Sequence, residues 1–202
     1  MNGIDVSKWQ GAIDFAAVKD AGIELVYLKA TEGMNKRDPY FYRNYANATA
    51  VGLPVGFYHY LTAKNEADAR VEAYHFIGTT EGLVNDAKLV MDLEDIAGLS
   101  RAQVHAVAEA FLRAVIEYSG KSPAIYVGAD TARLLDERFA AYPLWIADMD
   151  NVWETWAGWQ YTDRGRVAGI QVWVDRNVFR ETMLEEVRTA IRQRIKYNTW
   201  RL

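Results

Sequence analysis

Acidic residues stand at the carboxyl ends of several predicted β-strands. They are Asp5, Glu32, Asp92, Glu94, Asp148 and Asp175, assigned to the ends of the first, second, fourth, sixth and eighth strands. Any one of them alone would be interpreted as a helix N-cap or a solvated turn residue. A convergence of five strands is harder to explain in that way, because the carboxyl ends of parallel barrel strands meet at one mouth. The pattern predicts an acidic site at the mouth of an α/β barrel.

Asp92 and Glu94 are the most informative pair of acids. Two residues apart on a strand, they share one face and lie roughly 7 Å apart along the backbone. Cleavage of a glycosidic bond needs one carboxylic acid to protonate the leaving oxygen and a second carboxylate to stabilise or attack the cationic centre. Crowding by Asp92, Asp5 and Asp175 would raise the pKa of Glu94, as a general acid near neutral pH requires.

Aromatic residues give a second indication. The chain has seven tryptophans, four of them between residues 145 and 159, and twelve tyrosines. Flat rings with a polar edge suit the apolar faces of sugars, and neighbouring amides suit sugar hydroxyl groups. The alternative is packing in the core and at its rim, which we expect of about half of these rings.

Length and composition limit the classes of protein. The 202 residues are 50% hydrophobic and 25% charged, with no cysteine and a net charge of −4. These values exclude a disordered chain, a disulfide scaffold and thiolate metal sites, and they give no general attraction to nucleic acid. His59, His75 and His105 lack the spacing of metal ligands, so we expect structural histidines and neither a metal nor another cofactor.

The elements that must position the acids alternate along the chain. Strands are predicted near 3–7, 25–31, 54–61, 88–94, 123–128, 144–149, 157–162 and 171–176, and helices near 15–21, 40–51, 66–79, 100–119 and 129–136. Several strands are nearly continuous apolar runs, as expected for parallel strands covered on both sides. The fold class predicted is α/β: a single TIM-like barrel (1–180) with five βα units followed by three β-strands, plus a C-terminal basic helix and tail (181–202).

Seven segments of the chain resemble a known family. They are Gly3–Gly11 (GIDVSKWQG), Tyr27–Gly33 (YLKATEG), Val55–Tyr60 (VGFYHY), Met91–Glu94 (MDLE), Leu144–Ala147 (LWIA), Trp159–Tyr161 (WQY) and Val174–Asn177 (VDRN). In this order they are similar to glycoside hydrolase family 25, the muramidase-type lysozymes often found as phage endolysins. The resemblance spans about residues 2–179.

The resemblance implies an activity and site residues. The activity is cleavage of the β-1,4 bond between N-acetylmuramic acid and N-acetylglucosamine in the glycan strands of peptidoglycan. By position, Glu94 is the general acid and Asp92 orients or stabilises the reacting sugar through its 2-acetamido group, while Asp5 and Asp175 complete the acidic floor. The residues expected to contact substrate are Tyr58, Trp145, Gln160 and Tyr126.

Both the substrate preference and the function leave alternatives open. After Leu144–Ala147 the family usually has an aromatic residue two positions on, and this chain has Asp148 and Met149 there. That departure bears on one sugar contact and on subsite preference. The alternatives to a muramidase are another β-1,4-N-acetylhexosamine glycosidase, such as one acting on chitin, and a wall-binding module that does not cleave.

The two ends of the chain suggest how it meets the wall. No basic stretch followed by an apolar run opens the sequence, so we expect action on the cell wall after release from the cytoplasm or after processing. From Arg188 to Leu202 there are five basic residues and no acid, with Val187, Ile191 and Ile195 at helical spacing. This pattern is typical of a terminal helix docked on the barrel, or of one that contacts an anionic envelope surface. We expect the protein to be a monomer.

Overall fold

A computed structural model describes residues 1–151 and 153–185. Its strands are β1 (Asn2–Val6), β2 (Leu25–Glu32), β3 (Lys36–Arg37), β4 (Val55–Tyr60), β5 (Val90–Asp92), β6 (Ala124–Gly128), β7 (Leu144–Ala147), β8 (Gly158–Gly165) and β9 (Val174–Phe179). Its α-helices are α1 (Phe15–Asp20), α2 (Phe41–Ala50), α3 (Glu66–Thr80), α4 (Arg101–Ser119) and α5 (Ala129–Ala132). Within these ranges, no helix is both long and apolar enough to cross a membrane.

Eight of the strands close into a barrel. Parallel pairing runs from β1 through β2, β4, β5, β6 and β7 to β8, and β9 closes the ring antiparallel to both β8 and β1. A helix follows each of the first five barrel strands, and within the described residues no α-helix lies between the last three strands. The predicted barrel is therefore confirmed. The short β3, which pairs with the end of β2, was not predicted.

The last strand differs from the prediction in its direction. It was expected as a strand near 171–176 that ends at Asp175, but β9 spans Val174–Phe179 and Asp175 is its second residue. Because β9 runs antiparallel to β1, its beginning lies beside the carboxyl end of β1, and Asp175 is the direct partner of Asp5. The carboxyl group reaches the predicted mouth from the opposite end of its strand.

Alternation of side chains separates the core into two parts. On β2, Val26 and Leu28 point outward into the layer between barrel and helices, and Leu25 and Tyr27 point into the barrel. The same two-residue period holds on the other strands, since successive side chains of a strand point to opposite faces. Any functional group inside the barrel must therefore come from the inward set of each strand.

Large rings close the barrel interior below the mouth. Tyr27, Trp145 and Phe179 are each 2% exposed or less, and their ring centroids are 4.9 to 5.2 Å apart. A Cβ at Gly56 would lie 2.3 Å from the Tyr27 ring, and one at Gly158 would lie 2.8 Å from both Trp145 and Phe179. Glycine is needed at these positions because the rings lie directly on the backbone of neighbouring strands.

The longest helix begins and ends as the sequence predicts. Ser100 caps α4 through a capping box with Gln103, and Gly120 ends it in the left-handed conformation with φ of 67°. Capping boxes and C-terminal glycines satisfy backbone groups that the helix itself leaves unpaired. By contrast, α5 covers four residues where a helix near 129–136 was expected.

The end of the described chain packs back on the barrel. Glu181–Met183 forms a single 3-10 turn, and Leu184 pairs with Ala87 in an isolated antiparallel bridge. The predicted basic helix and tail at 181–202 otherwise lie outside the described residues.

A buried polar cluster ties α3 to the barrel wall. His59 on β4 and Glu72 on α3 are 0% and 1% exposed, with 2.8 Å between Nε2 and Oε2. Glu72 also accepts hydrogen bonds from the backbone N–H and hydroxyl group of Thr62, and Thr31 lies 2.7 Å from Nδ1 of His59. Burial lowers the pKa of His59, so the ring is neutral and donates from Nε2 to the carboxylate.

We expect Glu72→Ala to destabilise the fold by about 2–4 kcal/mol, because it leaves the buried donor on His59 and the half-buried donors on Thr62 without an acceptor. Urea unfolding followed by circular dichroism measures the effect. Glu117→Ala is the control, since it removes an exposed ion pair with Arg70 at 3.1 Å and should barely move the urea midpoint. Equal shifts for the two variants would contradict the assignment of Glu72 as an anchor.

Candidate active site

An acidic cleft of about 420 Å³ occupies the mouth of the barrel. It lies at the carboxyl ends of the parallel strands, as predicted. All eight residues assigned to the site from the sequence line it: Asp5, Tyr58, Asp92, Glu94, Tyr126, Trp145, Gln160 and Asp175. The barrel thus brings together residues from seven strands and the segment after β5.

Asp5 and Asp175 form one carboxyl pair. They are direct partners across β1 and β9, and a hydrogen bond joins their side chains. Burial, opposed by hydrogen bonds from Asn177 and Gln160, raises the pKa of Asp5 to about 6. Burial and the charge of Asp5 raise the pKa of Asp175 to about 8. Two carboxyl groups joined by a hydrogen bond share a proton near neutral pH, because ionising both would place two negative charges side by side.

Two amide side chains hold Asp5 in place. Its Oδ2 accepts a hydrogen bond of 2.8 Å from Nδ2 of Asn177 and one of 3.1 Å from Nε2 of Gln160. Asn177 in turn accepts a hydrogen bond of 2.9 Å from the indole N–H of Trp145. Gln160 accepts one of 2.9 Å from the hydroxyl group of Tyr126. Each amide is therefore oriented by a second, buried donor.

In this network, two of the predicted sugar contacts, Trp145 and Gln160, serve to position other residues. Trp145 is 2% exposed and packs between Tyr27, Tyr126 and Phe179. Gln160 is 5% exposed and uses both ends of its amide on Tyr126 and Asp5. Their geometry is that of positioning residues, because a stacking platform needs an open ring face and a sugar hydroxyl needs a free polar group. The sequence pattern carries no signal for this difference, since burial depends on neighbouring strands.

Asp92 and Glu94 form the second carboxyl pair, and a hydrogen bond joins their side chains. Burial, followed by the charge of Glu94, raises the pKa of Asp92 well above its usual range. Burial also raises the pKa of Glu94, while the hydrogen bond from Asp92 and the charge of Lys29 lower it. The expected direction of the Glu94 shift is confirmed, but the cause differs: partial desolvation of a side chain that is still exposed at the cleft is the largest cause, and Asp92 acts in the opposite sense to the predicted crowding.

One oxygen of Asp92 has no partner in the described structure. Oδ1 of this carboxyl group is buried and accepts no hydrogen bond from residues 1–151 or 153–185. A buried acceptor without a donor is costly, and such atoms in a cleft indicate where a bound molecule supplies the missing donor. Because Asp92 lines the cleft, this oxygen is a candidate substrate contact.

Lys29 is a site residue that the sequence analysis missed. It lines the cleft from β2, its Nζ lies 2.7 Å from Oε2 of Glu32, and it stands 4.6 Å from the centre of the Tyr60 ring. Its charge lowers the pKa of both Asp92 and Glu94. The signal was its position in the inward set of β2, two residues after Tyr27.

The other acids expected near the mouth do different work. Glu32 pairs with Lys29 and Lys36, and these cations lower its pKa. Asp148 accepts hydrogen bonds from the backbone N–H groups of Asp150 and Asn151 and from the indole of Trp153, so it shapes the loop after β7. Neither residue lines the cleft.

The position that departs from the family pattern does reach the cleft. Met149 is 47% exposed and lines the rim. A flexible thioether there offers an apolar contact without the flat face of an aromatic ring.

Within residues 1–151 and 153–185, no group of His, Asp and Glu side chains is arranged to hold a metal ion. Paired carboxyl groups with raised pKa values at the mouth of an α/β barrel are the chemical equipment of glycoside hydrolases, which protonate a leaving oxygen and stabilise a cationic sugar.

Comparison with known proteins agrees with that class. The chain belongs to the glycosyl hydrolases family 25, whose sequence profile matches residues 4–170. It is 37% identical over 189 residues to the autolytic lysozyme of Clostridium acetobutylicum, covering 91% of this chain and 57% of that protein. It is 38% identical over 196 residues to the uncharacterized protein YegX of Escherichia coli K12, covering 92% of this chain and 71% of that protein.

A solved structure shares the fold. The bacterial lysozyme from Streptomyces coelicolor superposes with a TM-score of 0.80 at 32% sequence identity, over 89% of this chain and 91% of that one. The chain therefore spans almost the whole of this lysozyme and little more than half of the clostridial one.

We expect Asp175→Asn to stabilise the protein at about pH 8 and to have a smaller effect at about pH 4. The folded pKa of Asp175 is about 8 against an ordinary value of 3.8, so the folded state binds more protons in this window and loses stability as the pH rises through it. The amide removes that dependence and keeps a donor for Asp5. Thermal unfolding at several pH values measures it, with the exposed Asp130→Asn as control. A lower melting temperature at every pH would contradict the shared proton.

Proposed function

We propose that this family 25 enzyme is a muramidase that cleaves the β-1,4 bond between N-acetylmuramic acid and N-acetylglucosamine in peptidoglycan. The observation that carries the proposal is the carboxyl pair Asp92–Glu94 at the barrel mouth, with both pKa values raised. The names of two of the similar proteins, an autolytic lysozyme and a bacterial lysozyme, support the same activity.

Glu94 is the proposed general acid. Of the two paired carboxyl groups it is the less buried, so it is the one that a glycosidic oxygen can approach from the cleft. A raised pKa keeps a proton available near neutral pH, when Glu94 must deliver it to the leaving oxygen. Lys29 limits the shift, which lets the carboxylate form after proton transfer remain stable enough to act next as the base.

Asp92 is the proposed partner of the sugar's 2-acetamido group. Two carboxyl groups that share a hydrogen bond are too close to flank a sugar from opposite faces, which requires about 5 Å or more between nucleophile and acid. A nucleophile from the substrate itself resolves this: the acetamide carbonyl attacks the anomeric carbon while Oδ1 of Asp92 accepts the acetamide N–H. The buried, unpartnered Oδ1 supports this assignment.

Asp5 and Asp175 are proposed to balance charge in the site. Their shared proton leaves about one negative charge on the pair near neutral pH, held by Asn177 and Gln160. A single fixed charge favours a cationic transition state, while two unshared charges would cost more in the free enzyme. Tyr58 and Tyr126, whose hydroxyl groups remain neutral because burial raises their pKa values, are proposed to contact the sugars.

The other expectations remain proposals. We propose action on the bacterial cell wall by a monomer without a cofactor, with no nucleic-acid partner. Contact of the basic segment 188–202 with the envelope would be tested by its deletion: equal loss of lysis on intact cells and on naked wall would refute targeting.

Glu94→Gln is expected to reduce reducing-end release from purified peptidoglycan by about 10²–10⁴-fold, because the amide cannot donate the proton. Asp95→Asn is the matched control: it lies one residue on, is half-buried and pairs with Lys64 outside the cleft. Mass analysis of the products identifies the new reducing end. Reducing N-acetylmuramic acid supports the muramidase, reducing N-acetylglucosamine from chitin oligosaccharides supports the chitin-type alternative, and binding without release supports a wall-binding module.

The proposed role of Asp92 predicts dependence on the acetamide. A glycan whose 2-acetamido groups have been converted to free amines should be cleaved at least about 100-fold more slowly than the acetylated strand, since the internal nucleophile is gone. Initial rates of reducing-end release on matched strands measure this. Equal rates on the two substrates would refute substrate assistance while leaving Glu94 as the acid.

A further inference from the structure

Two tryptophans beside the cleft are exposed to solvent. Trp9 is 73% exposed and Trp173 is 52% exposed. Trp9 lies just after β1, which carries Asp5, and Trp173 lies directly before β9, which carries Asp175. Because β1 and β9 pair through those two acids, both tryptophans flank the same side of the mouth.

The backbone around Trp9 is fixed although the ring is exposed. Ser7 and Gln10 form a capping box around the 3-10 turn that contains Trp9. The N–H of Lys8 donates 2.9 Å to Oδ2 of the buried Asp38. An exposed aromatic residue held in advance by several hydrogen bonds loses little entropy when it binds a ligand.

Trp173 is held by a cation and by the Trp9 segment. The guanidinium of Arg166 lies 3.9 Å from the centre of the Trp173 ring. It also donates a hydrogen bond of 3.2 Å to the carbonyl of Gln171. Gln10, which lines the cleft, donates a hydrogen bond of 3.4 Å to the carbonyl of Trp173. This bond joins the segment of Trp9 to that of Trp173. Trp9 carries a similar cation, with Nζ of Lys8 at 4.8 Å. A cation over one face leaves the opposite face of each ring for a ligand.

We infer that Trp9 and Trp173 form a sugar-binding platform that holds the glycan strand beyond the two sugars of the cleaved bond. The inference rests on the proposed function. A cleft of about 420 Å³ lies near the lower end of the size range for small-molecule sites, so a polymer must continue over the rim. On the β1–β9 side the rim offers two open ring faces for the apolar faces of sugars.

The test compares long with short substrates. Trp9→Ala and Trp173→Ala should each lower kcat/KM on long, peptide-free glycan strands by about three- to tenfold. The loss on the shortest cleaved oligosaccharide should be several times smaller. Trp9→Phe and Trp173→Phe should recover most of the activity on long strands. Tyr118→Ala is the control, because it removes a 46% exposed ring on α4 that does not line the cleft. It should leave kcat/KM unchanged on both the long and the short substrate.

Binding separates this platform from the proposed function. In a Glu94→Gln background, cosedimentation with peptide-free glycan strands should weaken by the same factors when either tryptophan is removed. If the native enzyme releases no reducing ends, the proposed function fails, and cosedimentation still decides the platform. Equal losses on long and short substrates, or weaker binding only to peptidoglycan that retains its stem peptides, would overturn the glycan platform.

Discussion

The structure depends on the concentration of carboxyl groups inside one barrel mouth. Asp5, Asp92 and Asp175 all have raised pKa values, and burial is the largest cause for each. The fold meets this cost with pairwise proton sharing and with amide donors on Asp5, so the site holds less charge than its composition suggests. Functional sites commonly retain such destabilising arrangements because the chemistry requires them.

The barrel makes this concentration possible through alternation and closure. Each strand places every second residue inward, so one or two acids per strand suffice to fill the mouth. The ring layer of Tyr27, Trp145 and Phe179 closes the interior below, and Trp145 links that layer to the acids through Asn177. Packing and electrostatics are thus connected: the indole that fills the core also fixes the amide that holds Asp5.

Much of the fold and the identity of the acids follow from the sequence, because apolar runs and strand-end acids are local signals. Asp175 was correctly assigned to the mouth but to the wrong end of its strand, since strand direction depends on closure and not on local pattern. Lys29 and Asn177 were missed as site residues, and Trp145 was expected to contact sugar, for a common reason. Their roles depend on residues that neighbour them in the barrel but lie far away in the chain; Trp145 and Asn177 are 32 residues apart. The spacing of residues within one strand does not indicate such contacts.

The most direct test of the shared-proton account is a carboxyl-carbon NMR titration of protein labelled at aspartate and glutamate, with Asp175→Asn and Glu94→Gln used to assign the signals. The account predicts that Asp175 titrates near pH 8 and Asp5 near pH 6, and that the Asp5 transition moves when Asp175 is replaced. Titration of all four acids at their ordinary values, below about pH 5, would contradict it.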